Sequence, residues 1–156
     1  MKKCNWGWQG SAKKLADRGA YLLKNLPFPA DIVFECDHDG VVETIPAHKI
    51  FLVIGSEVFE AMFCGLNADP LMSKVAISNY SKATFQAFLD FLYADQHPSF
   101  ERDWTNADSQ SNWLFEMMEL LHCASQYGVP ELVTLCRAAV VRSLGFSEGG
   151  FAGVGS

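Results

Sequence analysis

Apolar positions recur at two distinct spacings along this chain. From Ser11 to Leu26, Leu15, Gly19, Leu22, Leu23 and Leu26 fall on one helical face, with Lys13, Lys14, Asp17 and Lys24 elsewhere. The spacing predicts an amphipathic helix that Pro27 and Pro29 end, because proline lacks a backbone donor and turns its predecessor away from helix. Asp31 to Cys36 is β-branched and aromatic, Asp37-His38-Asp39-Gly40 is turn chemistry, and Val41 to Ile45 is β-type again. The three together predict a hairpin.

From Ala47 the period lengthens. Leu52, Ser56, Phe59 and Phe63 recur at steps of four and three, and Gly55-Ser56 breaks the run, so two short helices packed on the hairpin are expected. Lys74 to Ile77 suits one further strand. Ser81 to Tyr93 carries a stripe of Phe85, Phe88, Leu89 and Leu92, with Ser81 and Thr84 as candidate caps. After a polar stretch at 95–112, Trp113 to Tyr127 and Val129 to Leu144 predict two helices broken at Gly128-Val129-Pro130. The Gly-rich tail at 145–156 has no periodicity and is expected to be flexible.

At 156 residues, one α+β domain is the expectation, a small sheet capped by short helices. The net charge of −6 is uneven: residues 1–24 hold six of the twelve basic residues against Asp17 alone, which leaves the remainder acidic. An acidic body repels phosphate, so direct nucleic-acid binding is not expected. The five cysteines make an odd, dispersed set, and no apolar signal region follows the opening Met-Lys-Lys. The expected setting is a reducing one, the cytoplasm, with the nucleus as the alternative. Every long apolar run is interrupted, and no membrane association is expected.

Candidate chemistry is sparse. His48 beside Lys49 reads as a structural hydrogen-bond partner at a helix start rather than a base. Cys36-x-His38 and His122-Cys123 lack the paired spacing that surrounds zinc, and Cys123 and Cys136 read as small apolar packing groups. No nucleotide cradle or nucleophile elbow occurs. The sequence therefore nominates no catalytic residue, no metal ligand and no cofactor. Its largest surplus is apolar: Leu52, Phe59 and Phe63 supply a face for the sheet, yet Ile50, Phe51, Val53 and Ile54 remain on the same helix. A short helix apolar nearly all round must be buried on more than one side, and a two-fold homodimer supplies the second side. The residues nominated for that interface are Leu15, Leu22 and Leu23 of the first helix, whose stripe has no evident place in the core, and Ile50, Phe51 and Ile54 of the next.

Asp31-Ile32, Pro46-Ala47-His48-Lys49, Leu52, Ser56, Phe59, Met62-Phe63, Phe88, Tyr93, Tyr127-x-Val129-Pro130-x-Leu132 and Cys136 together resemble the BTB/POZ domain over about 31–144, preceded by a helical lead-in at 1–30. Gly55-Ser56-x-Val58-Phe59-x-Ala61-Met62-Phe63-x-Gly65, with Trp8-Gln9, Leu15, Arg18 and Asn25, is similar to the BTB domains that begin BTB-BACK-PHR proteins. The polar stretch at 95–112 is longer than that family's connection, and a Gly-rich segment stands where its BACK helices begin. The resemblance implies a dimerising, non-catalytic module and, in those proteins, an adaptor for a cullin-3 ubiquitin ligase. The alternative is the dimerising module of a transcription regulator.

The resemblance also implies two sets of residues. Asp31 and Lys49 match a charged pair near the family's dimer groove. Phe63, Leu66, Asn67, Asp69 and Tyr93, with the loop after it, match the cullin-binding region. There the family's hydrophobic-x-Glu motif is reduced to Asn67-Ala68-Asp69, with Leu66 one residue early, so weakened binding is the expectation.

Overall fold

The structure is a computed structural model that describes residues 14–25, 28–95, 98 and 107–145. The lead-in at 1–13, most of the polar insertion and the glycine-rich tail beyond Gly145 lie outside the described residues.

The hairpin forms as its pattern requires. β1 (Ile32–His38) buries Ile32, Phe34 and Cys36 on alternate positions, and β2 (Val41–Ala47) buries Ile45 and Ala47 beside them. Both strands run two residues beyond the predicted ends. Asp39 and Gly40 are left as a two-residue turn with positive φ at both, 53° and 80°, the backbone that matches strand twist. β3 (Lys74–Ile77) adds to the other side of β1 in parallel, in the order β2-β1-β3. A parallel neighbour needs a long crossover, and the αα pair between β2 and β3 supplies it.

That pair is α2 (Lys49–Gly55) and α3 (Glu57–Cys64). Ser56 both stops the first and starts the second: its N–H reaches the Leu52 carbonyl (2.9 Å), and its hydroxyl accepts the Phe59 N–H (3.2 Å). The same hydroxyl donates to the carbonyl of Tyr127 (2.5 Å) and ties this corner to the far end of the chain.

α4 (Lys82–Ala94) is the central helix, in contact with α1 (Leu15–Asn25), α2, β2 and α5 (Ala107–Gln126), against which α6 (Pro130–Ser143) packs. Ser81 caps α4 through the Thr84 N–H. Thr84 is no cap: it is fully buried, and its hydroxyl donates to the Glu119 carboxylate of α5 (2.6 Å), which also accepts the Ser81 N–H (3.2 Å). α5 starts at Ala107, inside the stretch expected to interrupt it. Phe34, Phe59, Phe85, Phe88 and Tyr127 form one aromatic cluster at centroid distances from 4.6 to 6.3 Å, and it joins sheet, α3, α4 and the α5–α6 corner.

Candidate functional site

α2 buries one side only. Leu52 is wholly inside, Phe51 and Val53 are half-buried, and Ile50 and Ile54, four residues apart and so on one face, are 65% and 77% exposed. Phe51 stacks on Tyr93 with ring centroids 4.3 Å apart. Of the other residues nominated for a dimer face, Leu22 is half-buried on α1, and the side chains of Leu15 and Leu23 lie outside the described residues. α1 does have a place on its own subunit, contrary to expectation: it lies against the end of α4, where Gly19 meets the Tyr93 carbonyl and Ala94 so closely that a Cβ would not fit. The absent side chain is what lets the two backbones approach.

Tyr93 organises the base of this face. Its hydroxyl accepts the backbone N–H of His48 (2.7 Å) and donates to His48 Nδ1 (2.9 Å), while Nε2, 3.1 Å from the Phe28 carbonyl, donates there. Both ring nitrogens are committed with the proton on Nε2, as a positioning histidine requires and a general base does not. Burial pushes the Tyr93 hydroxyl up to about 12; the His48 N–H works against that shift, and the nearby Asp31 carboxylate adds to it.

Asp31 and Lys49 are neighbours, but not as an ion pair. The Asp31 carboxylate accepts the backbone N–H of Lys49 (2.8 Å) at the start of α2, where His48 provides no side-chain cap. A carboxylate there also complements the helix dipole. The Lys49 ammonium lies instead 5.3 Å from the centre of the Phe63 ring, and this binds the head of α2 to α3.

The residues matched to a cullin-binding region divide. Phe63 is half-buried and stacked on Phe59. Leu66, Asn67 and Asp69 follow α3 on an exposed loop, Leu66 with its whole side chain in water, and the Asp69 carboxylate accepts the Leu71 N–H (2.9 Å) in a local turn. Tyr93 does not join them as a surface residue: it is 6% exposed with its hydroxyl engaged by His48, and most of the loop after it lies outside the described residues. Leu71, on the same loop, is 86% exposed and is not among the residues that the sequence nominates.

The arrangement offers contact surface and little reactivity. Desolvation pushes the thiols of Cys36 and Cys123 up, and that of Cys136 to about 11, so all three stay protonated and unreactive near neutral pH. Among the described residues, no three His, Cys, Asp or Glu side chains converge as a metal set, and no helix is long and apolar enough to cross a membrane.

The chain is similar to BTB/POZ domain-containing protein 6 of Homo sapiens, 32% identical over 130 residues that cover 83% of this chain and 21% of that protein. It is equally similar to Rho-related BTB domain-containing protein 3 of Mus musculus, 32% over 120 residues, covering 77% of this chain and 17% of that one. It thus spans about a fifth of the length of these curated relatives. Among solved structures, the BTB domain of zebrafish PATZ1 shares the fold, with a TM-score of 0.59 at 19% identity over 90% of this chain and 99% of that one. The family model for the BTB/POZ domain matches residues 22–144, the whole of the sheet, the helices α2 to α6 and the end of α1. With most of its length so matched, the chain belongs to the BTB/POZ domain family, whose members are protein–protein interaction modules.

Proposed function

We propose that the chain is a homodimer that acts as an adaptor for a cullin-3 ubiquitin ligase. The observation that carries the dimer is the solvent-facing pair Ile50 and Ile54 on a helix whose other side is already packed. A large aliphatic side chain withdrawn from water contributes about 1.5–3 kcal/mol, so a two-fold contact that buries this pair and Leu22 from each subunit offsets much of the cost of association. Two-fold symmetry brings the same face of each copy together, so the pair serves as its own complement.

The loop after α3 supports the adaptor reading. Leu66 and Leu71 stand in water beside Asn67 and Asp69, an apolar and polar mixture of the kind that docks a helix. Asp69 offers a shorter arm than Glu, and Asn67 offers no apolar contact, so the affinity is set by Leu66 and Phe63. Titration calorimetry with the N-terminal region of cullin-3 tests this directly. Heat corresponding to a Kd of tens of micromolar or tighter, roughly 6 kcal/mol or more, is expected. No heat in that range would make the dimerising module of a transcription regulator the better reading.

A further inference from the structure

The order β2-β1-β3 leaves β2 as an edge of the sheet. The N–H of Val33 donates to the Ser73 carbonyl (2.8 Å), so Val33 and Glu35 turn their backbone groups toward β3, and Phe34 and Cys36 turn theirs toward β2. In the register Phe34↔Ile45 and Cys36↔Glu43, Ile45 and Glu43 are therefore the residues bonded to β1. Val42, Thr44 and Pro46 point their backbone groups away from the sheet. Proline fits there because it has no N–H to leave unpaired. Val42 and Thr44 each present a donor and an acceptor that no described residue takes.

This edge stands in water. Residues 41–44 are all exposed, Val41 and Val42 at 58% and 60%, and the stretch 41–45 holds neither a lysine nor a bulge, the usual guards of an edge. The hairpin end is also acidic. Asp37, Asp39 and Glu43 stand there, and the Lys82 ammonium, 3.9 Å from Glu43, is the one Lys or Arg paired with them among the described residues; His38 lies 3.4 Å from Asp39. A second copy on this edge would bring the same carboxylates together from both sides, and like charges across a strand pair are destabilising. A cationic occupant is favoured instead.

We infer that β2 takes a fourth strand from a partner protein: an extended segment in which β-branched residues alternate with Lys or Arg. Its backbone pairs with Val42 and Thr44, its apolar side chains lie against Val42, and its cations face the acidic hairpin end. Val42 is about 16 Å along the strand from Ala47, so the segment leaves the Ile50–Ile54 face uncovered. The loop that carries Leu66 and Leu71 leads into β3, on the opposite edge of the sheet. This site therefore stands or fails independently of the dimer and adaptor readings.

The probe is the end-capped peptide Lys-Val-Arg-Val-Lys-Val, added to the ¹⁵N-labelled full chain while amide hydrogen exchange is read residue by residue. Peptide at about four times its Kd should slow exchange at Val42 and Thr44 about fivefold, because only the unbound fraction exchanges, and should leave Glu43, already bonded to β1, unchanged. No slowing at millimolar peptide, or slowing confined to other elements, would overturn the assignment. Slow exchange of both amides in the peptide-free chain that is lost on dilution would give the edge to a second copy and overturn it too. Equal binding of Glu-Val-Glu-Val-Glu-Val would refute the charge argument. Two further peptides carry N-methyl groups, one on the valines and one on the basic residues. Only one set of nitrogens faces β2, so one peptide should lose binding and the other keep it; an equal effect of the two would rule out backbone pairing. Thr44→Pro removes an outward N–H and keeps the pairing with β1, as Pro46 does, so Tm should hold while affinity falls about fivefold, the effect of one lost hydrogen bond. An unchanged affinity in that variant counts against the added strand, and the methylated pair decides the matter without any variant chain.

Discussion

Replacing Ser56 with alanine tests how one buried hydroxyl joins distant parts of the chain. Ser56 is 2% exposed, and its Oγ has two duties: it accepts the Phe59 N–H as the cap of α3 and donates to the Tyr127 carbonyl. Loss of a serine cap costs about 1 kcal/mol. A buried carbonyl left without its donor costs about 1–3 kcal/mol more, since no water replaces the hydroxyl. The sum is about 2–4 kcal/mol, and at about 3 °C per kcal/mol for a domain of this size Tm should fall by roughly 6–12 °C. Chemical denaturation at fixed protein concentration measures the free energy, and an unchanged m-value would show that the native state, not the unfolded chain, was altered. Ser56→Asp separates the two duties: it keeps the cap acceptor, removes the donor and buries a charge, so it should be worse than alanine although aspartate is a good cap elsewhere. A loss below about 0.5 kcal/mol for Ser56→Ala, the size of an ordinary surface change, would refute the reasoning.

Two further outcomes follow from the packing around Tyr93. Gly19→Leu should force α1 off the end of α4 and lower stability by about 1–3 kcal/mol in spite of leucine's better helix propensity, as read by thermal unfolding; an unchanged or raised Tm would contradict the close approach. Tyr93 and Tyr127 are held protonated up to about 12 by burial, and Tyr80 is raised in the same direction. The unfolded chain loses these protons first as pH rises past 10, so their contribution to stability is whole below pH 10 and declines between about pH 10 and 12. Tyrosinate absorbance should lag in the native protein and jump on unfolding, whereas free titration of all four tyrosines near pH 10 would refute the burial argument.

Much of this was legible because local pattern and final structure agree. The Asp39-Gly40 turn, the break at Gly55-Ser56 and the opening of α6 at Pro130 each depend on a residue's own backbone preference. The start of α5 was missed because Ala107 to Asn112 is mostly polar, and a helix that projects into water leaves no apolar stripe to read. The Asp31–Lys49 relation was legible as proximity, but whether a carboxylate takes an ammonium or a backbone N–H is decided by where α2 begins. Placing α1 on α4 depends on Gly19 meeting a carbonyl 74 residues later, and the Glu119 carboxylate reaches the head of α4 across 35 residues or more. Contacts of this kind are products of the fold and leave no trace in a local window.

The dimer is the claim on which the functional account stands, and multi-angle light scattering of the intact chain, as it elutes from a sizing column at micromolar concentration, tests it most directly. The account predicts roughly twice the 17.3 kDa subunit mass, with Ile54→Asp moved toward the single-subunit value because it sets an unpaired carboxylate in the apolar contact. A monodisperse 17.3 kDa species for the unaltered chain would contradict it.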